Sequence, residues 1–309
     1  MNPETAELLG TAARWVASLA TLVVLGACGF RAGIRRTLVT AGSEVVQDAD
    51  RRAARAGLWA ALALLTILGV KLYAQAGSFV EPDEPITREL VTTVIGSTAW
   101  GKGWTSQMLA AGLALAGFAV AGAHRAGWLM AFVGATTVAL ATPLTGHAVA
   151  AERAGIWGYP LDVMHVLGSG VWLGSLAVML IAGFAAVRRL EPASRGLRVA
   201  AMVHAFSPMA LTGVTMLGLA GVILAGRYLD WSVSALWNSG YGRTLSLKLL
   251  LLGGVAGTGA YNWKVLKPVL GTEAGARRIA RSSLVELGLG TILLLVTAWL
   301  VHLPMPGDE

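Results

Sequence analysis

The stretch LDVMHVLGSGVWLGSL (Leu161–Leu176) opens an apolar run with no Asp, Glu, Lys or Arg between Asp162 and Arg188. A helix needs about 20 mainly apolar residues to cross a bilayer. The run is long enough, and its apolar residues do not alternate as barrel strands do, so it predicts a spanning helix. Seven further segments read the same way. The expected spans are Leu8–Phe30, Gly57–Ala76, Trp104–Ala123, Gly127–Val149, Pro160–Val187, Ala200–Gly226, Arg243–Trp263 and Ser283–Leu303. The fold class that follows is all-α: a polytopic membrane bundle of eight transmembrane helices in a single integral membrane domain, residues 1–309.

Composition agrees. The 309 residues are 55% hydrophobic and only 13% charged, with a mean hydropathy of +0.65, whereas soluble domains carry about 25% charge. One cysteine, Cys28, excludes an internal disulfide and any multi-cysteine cluster. The first apolar segment follows Glu4 and Glu7 and precedes arginines, so it reads as a retained helix rather than a signal peptide.

Charge placement gives a direction. Arg31, Arg35, Arg36, Arg51, Arg52, Arg55, Arg125, Arg188, Arg189, Arg195, Arg198, Lys264, Lys267, Arg277, Arg278 and Arg281 flank the odd-to-even connections, and they make up 16 of the 24 cations. The positive-inside rule then places both termini in the periplasm. The net charge of +7 is thus topological and calls for no nucleic acid. On the opposite side Ile86, Leu90, Val91, Val94 and Ile95 recur at helical spacing, which predicts an amphipathic helix lying on the bilayer. WSVSALW (Trp231–Trp237) occupies the same place before the seventh span.

These two segments introduce a repeat. STAWGKGW (Ser97–Trp104) and NSGYGRTL (Asn238–Leu245) each open the third span of a half, and WVASL (Trp15–Leu19) echoes WLGSL (Trp172–Leu176). His147 and His302 close the fourth and eighth spans. The reading is a parallel 4+4 duplication with halves of about 1–150 and 151–309.

Ionisable groups inside a bilayer are costly, which directs attention to those present. His147, His165 and His302 share one outer level on three helices. Asp162, His165, Ser169 and Trp172 stack on one helical face. Asp162 is positioned to orient His165 as a metal ligand, and Met164 adds a thioether suited to Cu(I). Other readings stand beside this one. Asp162 can simply cap its helix, and Trp172 with Gly170 and Gly174 can serve packing alone. His204 and Glu286 mark a possible inner-side path, with Asn262 and Lys264 as partners for Glu286. Arg14 and Lys248 are buried charges able to hold anionic groups or bridge to Asp162. Lys71 reads as a snorkelling residue.

Six pieces in order carry a resemblance: TGHAVA (Thr145–Ala150), LDVMHVLGSGVWLGSL, HAFSPMAL (His204–Leu211), GYGRTLSLKL (Gly240–Leu249), AYNWKVLKPVL (Ala260–Leu270) and RSSLVELGLG (Arg281–Gly290). The sequence resembles the copper-resistance protein D family of bacterial inner-membrane proteins. The resemblance implies copper uptake or handling beside a periplasmic copper-binding protein, and it puts the family's histidines on His147 and His165. Family members often carry a first-span histidine where this chain has Leu8, Leu9 and Arg14.

Three functions remain open on sequence. The first is a copper-binding membrane protein, a transporter or metal-binding protein rather than an enzyme, with His147, His165, His302 and Met164 as ligands. The second is a b-type haem protein, since His165, Trp172 and Gly174 also resemble a small-membrane-oxidase family of haem synthesis. The third is a non-catalytic subunit or assembly factor.

Overall fold

The structure is a computed structural model describing residues 3–81, 84–146, 152–301 and 303. It is helical throughout, and no strand occurs among the described residues. Eight helices are long and apolar enough to cross a membrane: α1 (Leu8–Ala41), α2 (Ser43–Gly77), α4 (Ala99–Val120), α5 (Arg125–Thr145), α6 (Gly155–Arg189), α7 (Pro192–Tyr228), α9 (Gly240–Val269) and α10 (Glu273–Leu300). Two short helices, α3 (Arg88–Ser97) and α8 (Ala235–Asn238), precede α4 and α9.

Several helices begin earlier than the apolar runs suggest. α2 starts at Ser43 rather than near Gly57, α7 at Pro192 rather than Ala200, and α10 at Glu273 rather than Ser283. The added turns are polar, and ion pairs one turn apart support them. Arg52 meets Asp48 at 2.8 Å and Arg277 meets Glu273 at 3.1 Å. Arg195 reaches the same Glu273 at 3.5 Å, tying the start of α7 to that of α10. Arg35 and Arg31 converge on Asp50 at 3.1 and 3.8 Å, and Arg31 also lies 5.4 Å from the Trp128 ring.

α1 is central, packing against α2, α5, α6 and α10. Its crossing with α6 depends on two residues without side chains. A Cβ on Gly26 would lie 2.1 Å from the Gly174 carbonyl carbon, and one on Gly174 would lie 2.0 Å from the Leu22 oxygen. Between helices in lipid, such close backbone approach replaces the hydrophobic drive that water provides elsewhere. α4 and α5 interlock in the same manner, with Gly117 against Ala131 and Gly134 against Ala114.

α4 and α9 begin alike. Thr98 Oγ1 accepts the Gly101 N–H at 2.8 Å, and Ser239 Oγ accepts the Gly242 N–H at 2.9 Å. Each hydroxyl also donates back to the preceding short helix, to the Val94 and Ala235 carbonyls at 2.6 and 2.8 Å. Gly101 and Gly242 sit against the backbones of those helices, where a Cβ would meet carbonyl oxygen at 2.1 and 2.0 Å.

Candidate functional site

A cavity of about 530 Å³ lies between the helices at the end that carries the start of α1 and the connections after α2, α5 and α7. All eight long helices line it. Much of the wall is apolar, but three cations face it: Arg14 from α1, Lys71 from α2 and Lys248 from α9. No Asp or Glu is among the described residues that line it.

One polar wall is a connected chain. Lys71 Nζ donates to Thr145 Oγ1 at 3.2 Å, and Thr145 Oγ1 donates to Gln107 Oε1 at 3.4 Å. Gln107 Nε2 donates to Thr142 Oγ1 at 3.0 Å, and Thr142 Oγ1 donates to the Val138 carbonyl at 2.7 Å. Lys71 therefore turns inward, which corrects the snorkelling expectation. Gln107 and the Thr142–Thr145 turn were not singled out from sequence. The signal available was an amide side chain in the midst of an apolar segment.

The opposite wall belongs to α6. His165, Ser169 and Trp172 line the cavity there. Ser169 Oγ donates to the His165 carbonyl at 2.8 Å. His165 Nδ1 is buried without a hydrogen-bond partner, and no hydrogen bond joins it to Asp162. The expected orienting bond is thus not made. Asp162 instead lies within electrostatic range of Lys248, Tyr228 and Tyr241. Met164 packs against the cluster of Leu161, Tyr228, Tyr241 and Leu245, and so does not line the cavity.

Trp172 forms part of the cavity floor. Its Nε1 donates to Glu286 Oε1 at 2.9 Å, and Asn262 Nδ2 donates to Glu286 Oε2 at 3.3 Å. Glu286 is 5% exposed. Both donors come from π-helical turns, Gly170–Gly174 in α6 and Asn262–Leu266 in α9. Such turns occur often at functional sites. Of the two partners expected for Glu286, Asn262 is present, whereas Lys264 is exposed. His204 is also exposed on α7 and is not part of the cavity.

His147 and His302 lie outside the described residues; Gly146 and Val301, their neighbours in sequence, line the cavity. Among the described residues no group of three or more His, Cys, Asp or Glu side chains is placed to hold a metal ion. Among the described residues that line the cavity, His165 is the one histidine, and its Nδ1 has no hydrogen-bond partner.

Residues 5–159 match the family Copper resistance protein D-like, N-terminal domain, and residues 200–300 match Copper resistance protein D. The chain belongs to the copper resistance protein D family. A curated relative, Copper resistance protein D of Pseudomonas syringae pv. tomato, is 31% identical over 175 residues. That match covers 53% of this chain and 55% of the relative, so the chain spans about half the length of the protein it matches. No solved structure matches the chain. This member of the family carries eight helices long and apolar enough to cross a membrane.

Proposed function

We propose that the protein handles copper at the bacterial inner membrane, taking it up from the periplasm through the cavity, with His165 as a ligand. The observation that carries this reading is the His165 imidazole, whose Nδ1 is buried, unpartnered and next to the cavity. Imidazole suits copper in either oxidation state. His147 and His302 complete the proposed ligand set. Met164 is left out, since its side chain is committed to packing.

The orientation follows from charge. With both termini outside, the arginine-rich helix ends face the cytoplasm and the cavity opens to the periplasm. A periplasmic copper-binding protein is the proposed donor. Ser169 and Trp172 lead from His165 to Glu286, the proposed inward path. The comparisons give the haem reading no support.

The proposed 4+4 repeat, within one membrane domain, maps α1–α5 onto α6–α10. It is supported by the shared cap geometry at Thr98 and Ser239. Gln107 and Lys248, each six residues beyond the glycine that follows the cap, both face the cavity.

Copper accumulation in cells expressing the full chain tests the proposal. Wild type is expected to raise cell copper, and His165→Ala at equal membrane abundance is expected not to. Equal accumulation in both would refute a ligand role for His165 in uptake.

A further inference from the structure

Among the described residues, the charge that faces the cavity is unbalanced. Arg14, Lys71 and Lys248 face one space, while the only hydrogen bond from any of their charged heads among the described residues runs from Lys71 to the neutral Thr145. Arg14 and Lys71 lie within electrostatic range of each other, and among the described residues Asp162 is the single carboxylate within such range of Lys248. An uncompensated ion held away from water is costly. The arrangement calls for an anion.

The wall between α7 and α9 indicates what carries that anion. At the cavity end the two helices meet through Tyr228 and Tyr241, whose rings contact edge to face at 6.4 Å. Deeper along both helices this contact gives way. Gly218 and Gly221 have no heavy atom within 4 Å of a built Cβ, and Val222 and Leu249 are 65% and 50% exposed. All four line the cavity. They lie within spans long and apolar enough to cross a membrane, and Lys248 lies one residue from Leu249.

We propose that the cavity binds an anionic phospholipid, its phosphate held by Arg14, Lys71 and Lys248 and its acyl chains leaving between α7 and α9 beneath the tyrosine pair. A phosphate supplies several acceptors for charge-assisted hydrogen bonds. A gap between two apolar spans, flanked by exposed Val222 and Leu249, suits a ligand with hydrocarbon chains. This site does not rest on the copper reading.

The test uses the full chain in neutral detergent, with lipid retention read by native mass spectrometry and stability by thermal melting. Phosphatidylglycerol is expected to be retained and to raise Tm, whereas phosphatidylcholine does neither. Replacing Arg14 and Lys248 by Gln together is expected to weaken phosphatidylglycerol binding by about tenfold or more. Gly221→Leu keeps every charge but fills the opening, and it is expected to reduce retention while leaving the lipid-free Tm unchanged. Equal binding of the two lipids, or unchanged binding in both variants, would overturn the proposal. So would inorganic phosphate that stabilises as well as phosphatidylglycerol at equal concentration, because the site would then be one for a small anion.

Discussion

Trp172 on α6 donates to Glu286 on α10 across 2.9 Å of the bundle interior, directly beneath the cavity. The bond satisfies an acid that is 5% exposed, and Asn262 supplies the only other donor it has among the described residues. Trp172→Phe keeps most of the ring but removes the N–H. The loss is expected to cost about 1–3 kcal/mol, the penalty for stranding a buried polar partner. Thermal melting in detergent checks this, and an unchanged Tm would show that the bond adds no stability.

The α1–α6 crossing leaves no room at Gly26 or Gly174. Gly174→Leu would drive its side chain into the backbone of α1 and is expected to abolish the folded, monodisperse protein. Gly69→Ala is the control, because open space surrounds that position and alanine favours helix. Size-exclusion profiles and Tm of the two variants make the comparison.

Thr98 and Ser239 cap α4 and α9 with the same pair of bonds. Thr98→Ala and Ser239→Ala are each expected to lower stability by about 1 kcal/mol, while Thr98→Ser stays near wild type. A cost at one cap alone would argue against their equivalence in the proposed repeat.

The proposed orientation can be read by labelling. In a Cys28→Ser background, a cysteine at Glu84, in the connection after α2, is expected to react with an impermeant maleimide in intact spheroplasts. One at Glu191, between α6 and α7, is expected to react only after lysis. The opposite pattern would reverse the topology and place the cavity on the cytoplasmic side.

The spans were legible in the sequence because a bilayer demands long apolar runs and this chain supplies eight of them. The true starts of α2, α7 and α10 were not, since their first turns are polar and carry no hydropathy signal. The packing role of Gly174 could be read from its spacing to Gly170, although its partner Gly26 could not. The cavity was the least legible feature. It takes residues from all eight helices, and whether Lys71 snorkels or turns inward depends on Thr145, 74 residues away in sequence. Helical spacing put Asp162 and His165 on one face, but no hydrogen bond joins them, and Asp162 lies within electrostatic range of Lys248 and the tyrosines of α7 and α9. Spacing along one helix could not reveal partners on two others.

The central claim, that His165 holds copper, is tested most directly by copper analysis of purified full-length protein loaded anaerobically with Cu(I), wild type beside His165→Ala. The account predicts about one copper per chain in wild type, as expected for a single site of imidazole ligands. It predicts loss of that copper in the variant, with the two proteins melting at similar temperatures. Equal copper in both proteins, or none in wild type, would contradict it.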